Sequence, residues 1–143
     1  MAINFYNTDI NLKLSERKRL KLFLTNLALR EACVLKGLTY VFCSDSYLLA
    51  INKKFLNHDT LTDIITFPLT EDEKYIEGEI YISIERIKEN ASKFRCSEND
   101  ELLRVIFHGL LHLCGYGDKS KAEKFVMREK EDFYLARYHN NVV

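Results

Sequence analysis

Two histidines four residues apart, His108 and His112, stand in the apolar stretch HGLLHLCGYGD (108–118). On a helix, side chains at i and i+4 carry Cβ atoms about 5–6 Å apart. That separation lets two imidazole nitrogens converge on one ion at about 2.0–2.1 Å. In the zinc peptidases that use this grip, the residue after the first histidine is a glutamate that activates water. Here that residue is Gly109. The chain keeps a metal grip and leaves out the base.

The residues that follow extend the constellation. Gly115 comes three positions after His112 and Asp118 six after it. Glycine tolerates φ > 0 and can end a helix in a left-handed cap, so the chain can turn back and return a third ligand. The pattern H-x3-H-x2-G-x2-D has the spacing of the metzincin ligand set, with aspartate in place of the third histidine. Carboxylate oxygen is an acceptable zinc ligand. The competing reading of Asp118 is a turn residue just before KSKAE. Three protein ligands leave one position for water, whose pKa zinc lowers toward neutrality. This chemistry serves hydrolysis or the polarising of a phosphoryl or carbonyl oxygen. A closed structural site that recruits Cys114 is the second choice, because that side chain points well away from His112 on a continued helix. His58 and His139 read as surface residues. Without Glu at position 109 a peptidase lacks its base; a phosphodiester substrate, whose developing charge a metal can neutralise, relieves that lack.

The elements that must position these residues can be read from periodicity. INFY (3–6) alternates as a short strand, and a long amphipathic helix runs from a cap at Ser15 to a cap near Gly37. LTYVFC (38–43) has strand composition, SDSYLLAINKKFLN (44–57) reads as a helix, and TDIITFP (62–68) as a strand stopped by Pro68. EGEIYISI (77–84) alternates strongly, and IERIKENASKFR (84–95) forms a helix capped by Ser83. SEND (97–100) has the capping-box form and opens the histidine helix, about 98 to 114; SKAE (120–123) opens a last helix to about residue 137. At about 100° per residue, Leu103, Ile106, Phe107, Leu110, Leu111 and Leu113 form the core face of the histidine helix, with His108 and His112 together beside it. The expected fold is α+β: about four strands in a mixed sheet, helices packed mainly on one side, and a metzincin-like metal helix. The 44–57 helix joins strand to strand, so it is expected to make a parallel crossover. GEIYIS reads equally well as a strand at the rim of the site or as an interior one.

The 143 residues suggest one domain, 1–143, and 47% hydrophobic with 29% charged residues calls for a packed core. Net charge is zero, from 21 basic and 21 acidic residues, so nucleic-acid binding requires a local patch. Basic residues gather in 16–21, 85–95 and 119–124, and each cluster taken singly reads as a solvated helix face. No signal peptide is visible at the N-terminus and no run reaches membrane-helix length. The four cysteines, Cys33, Cys43, Cys96 and Cys114, form no CxxC pair and read as core or flank residues of a reducing compartment.

HGLLHLCGYGD resembles the signature of the YbeY family, bacterial rRNA maturation factors described as single-strand endoribonucleases. LAINKKFLNHDTLTDIITFP (49–68), GEIYISIERIKENA (78–91) and FVMREKE (125–131) resemble further segments of that family, in the same order. The resemblance implies an α+β fold, one zinc ion per chain, a cytoplasmic location and a role in small-subunit rRNA 3′-end processing and ribosome quality control. Implied partners are ribosomal RNA, small-subunit precursors, small-subunit ribosomal proteins and assembly GTPases, with no membrane. Carried over by position, the ligands are His108, His112 and Asp118, where most relatives have a third histidine. An Asp ligand lowers the net positive charge at the metal and makes bound water less acidic. Where relatives usually carry an arginine, this chain has Leu56; a guanidinium could clamp a phosphate and leucine cannot. Lys53, Lys54 and His58 lie near in sequence as substitutes. The alternatives are a non-catalytic, zinc-stabilised ribosome-assembly factor, motivated by Leu56 and Gly109, and a metallopeptidase, motivated by ligand spacing.

Overall fold

The computed structural model describes residues 2–57, 60–72 and 74–141. Its elements are β1 (Ile3–Asn7), α1 (Arg17–Arg30), β2 (Val34–Cys43), α2 (Asp45–Leu56), β3 (Ile64–Pro68), β4 (Tyr75–Ser83), α3 (Ile84–Phe94), α4 (Glu98–Leu113) and α5 (Lys121–His139). The strands form one sheet in the order β1-β2-β4-β3, with β1, β2 and β4 parallel and β3 antiparallel to β4. The fold is α+β on a four-stranded mixed sheet, as the sequence leads one to expect.

Alternation along the strands divides the core in two. Ile76, Ile80 and Ile82 of β4 join Tyr40 and Phe42 of β2 beneath α1, α3, α4 and α5. On the opposite face, Cys43 and Ile65 meet Leu48 of α2, with Phe67 and Tyr81 packed against them. In α4, Ile106, Phe107, Leu110 and Leu111 are fully buried; each contributes about 1.5–3 kcal/mol relative to exposure. Leu113, expected on the same face, is half-buried at the margin of the core.

Two local readings differ from the sequence-based expectation. First, α1 is shorter than Ser15–Gly37. It starts after Glu16, which sits in the left-handed region at φ 55 and offers no side-chain cap. It ends when Cys33 donates its backbone N–H to the Ala28 carbonyl at 2.8 Å and Ala32 takes φ 63. Both turns use non-glycine residues in a glycine-like conformation, so neither is flagged by residue type. Gly37 instead lies inside β2, at the register shift between Leu35 and Gly37. Second, the direct crossover between adjacent parallel strands is made by α1, from β1 to β2; α2 leads from β2 to β3, which runs antiparallel to β4 and so to β2. Of the two readings of GEIYIS the interior one holds: it belongs to β4, and the strands at the edges of the sheet are β1 and β3.

Candidate metal centre

α4 carries both histidines, and its placement is over-determined. Ser97 accepts from the Asp100 backbone N–H at 3.0 Å, and Glu98, Asp100 and Glu101 fill the first turn, where carboxylates complement the helix dipole. Tyr40, fully buried on β2, donates its hydroxyl to the Ile106 carbonyl at 2.8 Å and pins the helix to the sheet. The closest approach comes at Gly109. A Cβ there would stand 2.8 Å from Ile80 Cδ1 and 3.0 Å from Ile64 Cδ1. The position that holds a glutamate in zinc peptidases therefore faces two isoleucines of the sheet, which any side chain there would have to displace.

α4 ends in a paired-bond turn. Gly115 donates to the His112 carbonyl at 3.0 Å and Tyr116 to the Leu111 carbonyl at 3.1 Å, with Gly115 at φ 107. This is the Schellman arrangement, in which a left-handed residue suits glycine. The reversal lets the Tyr116 carbonyl reach back to His112 Nδ1 at 3.0 Å. The Tyr116 hydroxyl donates to Glu31 Oε1 at 2.5 Å, Lys130 Nζ lies 3.1 Å from Glu31 Oε2, and the Tyr134 hydroxyl donates to the same carboxylate. The turn that bears Asp118 is thus tied through Tyr116 to the end of α1 and the middle of α5.

The tautomers follow from the acceptors. A carbonyl can only accept, so His112 Nδ1 carries the proton and Nε2 presents a lone pair. His108 Nδ1 lies 2.7 Å from Glu131 Oε2, and by the same reasoning donates to that carboxylate. Carboxylate or carbonyl partners behind the imidazoles are the usual support for metal-ligating histidines. His108 Nε2 then faces Asp118 Oδ2 at 3.3 Å. Ligand bonds of about 2.0–2.2 Å meeting at a tetrahedral angle separate their donor atoms by about 3.3–3.5 Å, so the spacing of this ion pair is compatible with two zinc ligands. His112 shares their cavity rather than a contact with them. Among the described residues no three His, Cys, Asp or Glu side chains are grouped so as to hold an ion.

The surroundings are rich in carboxylates. Asp63, Glu101, Asp118 and Glu131 line one cavity with His108, Arg104 and Arg128. Burial raises the Asp63 pKa against the pull of His108, and the charges of Glu131 and Asp118 raise it further. Burial and the charge of Asp63 raise Glu101. For His108, burial opposes the charged ring. The Glu131 hydrogen bond and the charges of Glu131, Asp118 and Asp63 outweigh it, and the pKa lies above its ordinary value. Arg104 offsets part of the negative charge, 3.2 Å from Glu131 and 2.8 Å from Asp132. A site with surplus carboxylate around two imidazole lone pairs has the donor chemistry for a divalent cation.

Two cavities meet at the His108–Asp118 pair. One, about 390 Å³, is lined by Asn52, Leu56, Thr60, Thr66 and His112. The other, about 350 Å³, is lined by Asn90, Phe94, Glu101, Arg104 and Arg128. Thr62, Ile64, His108 and Asp118 belong to both.

Residues 3–139 match the family model described as Endoribonuclease YbeY. The chain belongs to the YbeY family. It is 47% identical over 135 residues to Endoribonuclease YbeY of Cytophaga hutchinsonii, covering 94% of each chain. With the protein of the same name from Flavobacterium psychrophilum it shares 44% over 134 residues, covering 94% of this chain and 95% of the relative. Its fold is similar to the solution structure of TM1509 from Thermotoga maritima, with TM-score 0.67 and 28% identity over 97% of this chain and 90% of that one.

Within this YbeY chain the residues singled out by sequence divide into two groups. His108, His112 and Asp118 come together on one cavity wall, and Leu56 joins them from α2. Lys53 and Lys54 are exposed in the last turn of α2 and line neither cavity; Asn52 and Leu56 line one of them instead. His58 lies outside the described residues. His139 is bonded to Asp100 at 2.8 Å, far from the pair. Cys114 is half-buried against the main core rather than turned to the cavity. Sequence reasoning passed over Glu131, Asp63 and Phe94. Glu131 had one signal: it is a carboxylate in the buried stripe of α5 that also holds Met127, Tyr134 and Tyr138.

Proposed function

We propose that this chain is a zinc-dependent, single-strand-specific endoribonuclease of rRNA maturation, acting in the cytoplasm on small-subunit precursors at the 16S rRNA 3′ end and in ribosome quality control. The observation that carries the reading is the His108–Asp118 pair, 3.3 Å apart at the seam of two open cavities. Membership of a family named for endoribonuclease activity supports the substrate class. Among the described residues no helix is long and apolar enough to cross a membrane.

His108, His112 and Asp118 would hold the ion. When bound, zinc supplies Lewis acidity that polarises a phosphoryl oxygen and acidifies water. The chain supplies the rest. Glu131 keeps a His108 proton on Nδ1, and the Tyr116 carbonyl does the same for His112, so Nε2 is the ring nitrogen each would give to the ion. Thr60, Thr62 and Thr66 give the Leu56 lobe hydroxyls for a sugar–phosphate backbone. Gly109 puts the helix against the sheet and withholds the peptidase base, which counts against peptide hydrolysis.

A second reading, a non-catalytic assembly factor in which zinc serves stability and docking, is favoured by Leu56, which puts an apolar side chain on the cavity wall. Elemental analysis of the purified chain and its Asp118→Ala variant, beside cleavage assays on rRNA precursor and on casein, decides among these. Close to one zinc per chain, reduced occupancy in Asp118→Ala and RNA cleavage abolished in His112→Ala are expected. RNA cleavage that persists in His112→Ala removes the catalytic role of the metal. Pre-ribosome binding without cleavage selects the assembly reading. Chelator-sensitive casein cleavage selects the peptidase.

A further inference from the structure

We propose that the cavity beside His108 on the α3–α5 side seats one unpaired nucleobase, stacked on Phe94, with its phosphate held at the rim by Arg128. The proposal rests on the RNA substrate proposed above and names where a nucleotide next to the scissile bond sits. The reacting pair lies at the seam of two lobes, so a strand passing it has a nucleotide in each. This lobe, about 350 Å³, falls within the roughly 300–1,000 Å³ of small-ligand sites.

Phe94 is the unexplained residue of this wall. It ends α3, whose buried positions are Ile84, Ile87 and Ala91. Spacing continues that stripe to Phe94, yet the ring is 54% exposed and forms part of a polar cavity. Lys93 Nζ stands 5.8 Å from its centroid. An exposed ring beside cations is the usual platform for single-stranded bases. The two arginines differ in availability. Arg104 is 16% exposed and engaged with Glu131 and Asp132. Arg128 is 60% exposed and meets the same carboxylates only at 4.0 Å, which leaves its guanidinium for a phosphate. The inner wall, with Asp63 and Glu101, repels a bare phosphate but accepts N–H groups of a base, and Asn90 can both donate and accept. Base inward and phosphate outward is the orientation these charges allow.

The test uses the full chain and a short single-stranded RNA carrying one 2-aminopurine, whose fluorescence is quenched by stacking. Phe94→Ala should weaken binding roughly 5- to 150-fold, the span of base–aromatic stacking, and abolish protein-induced quenching. Phe94→Tyr should retain both. Arg128→Ala should weaken binding and reduce the salt slope by about 1. Phe125→Ala, which removes an exposed ring outside both lobes, should change nothing. Wild-type affinity and quenching in Phe94→Ala, or no binding of the RNA by the parent chain, overturns the proposal. RNA cleavage with unchanged KM in Phe94→Ala would overturn the subsite and leave the nuclease standing. Phe94-dependent binding with no cleavage by the zinc-loaded chain would do the reverse.

Discussion

Filling Gly109 should destabilise the protein although it sits inside a helix, where glycine is unfavourable. In an open helix, Gly→Ala gains about 1 kcal/mol. Here the new Cβ would lie 2.8 Å from Ile80 Cδ1, 3.0 Å from Ile80 Cγ2 and 3.0 Å from Ile64 Cδ1. The chain ends can rotate, but Ile80 is fully buried and its Cγ2 is fixed by the β-branch. Overpacking of this kind costs about 1–3 kcal/mol. Gly109→Ala should therefore lose up to about 2 kcal/mol net of propensity, about 3–5 °C in Tm per kcal/mol for a domain of this length. Gly109→Glu adds a carboxylate forced into an apolar crevice, several kcal/mol more, and gains no peptidase activity. The assay is urea and thermal unfolding followed by circular dichroism in chelator, so that metal binding does not enter, together with casein cleavage of the zinc-loaded variants. A rise in Gly109→Ala stability of the size of the helix gain would refute the close-packing argument. So would a Gly109→Glu protein with the parent midpoint and chelator-sensitive proteolysis.

Other substitutions probe the supports around the site. Glu131→Gln keeps an acceptor near His108 but removes its charge, and should weaken zinc affinity about 10–100-fold in chelator competition; unchanged affinity would show that the His108–Glu131 bond is idle. Glu31→Gln tests the anchor of Tyr116. Burial pushes the Glu31 pKa up, but hydrogen bonds from Tyr116, Tyr134 and Lys130 and the Lys130 charge carry it below its ordinary 4.5. The stabilisation is therefore complete above pH 4.5 and lost as pH falls through the folded-state value. The stability gap between parent and Glu31→Gln should narrow in acid, and a gap constant down to about pH 3 would contradict this. Leu56→Arg places a guanidinium on the cavity wall and should raise kcat/KM for RNA about tenfold or more, the worth of one charge-assisted hydrogen bond; no gain would mean that this lobe takes no phosphate.

What could be read from the chain was what repeats or abuts. His108, His112 and Asp118 are linked by helical spacing and a glycine turn, and all three line one cavity. Capping signals at Ser44, Ser83, Ser97 and Ser120 correspond to side-chain caps. Those serines bond to backbone a few residues on, which is local chemistry. The start and stop of α1 were not legible, because Glu16 and Ala32 adopt left-handed φ values without the residue type that usually marks them. Glu131 was not legible as a partner of His108. The two are 23 residues apart, and only the packing of α5 on α4 joins them. Lys53 and Lys54 adjoin Leu56 in sequence, but helix phase puts Asn52 and Leu56 on the cavity wall and the two lysines off it.

The last helix has a consequence for timing. α5 supplies Glu131 behind His108. Its capping residue Glu123 accepts from the backbone of Lys119 and Ser120, directly after Asp118, and fills the space beside Gly117 so closely that a Cβ there would collide with it. Both supports of the His108–Asp118 pair therefore come from α5, the 19-residue helix Lys121–His139. A ribosome making this protein releases the histidines before the parts that aim them. On the proposed metal site, a nascent chain that has not yet added α5 lacks both Glu131 and Glu123 and should be unarmed. A chain truncated after Ser120 should accordingly fail to retain zinc, whereas one that includes α5 should hold it.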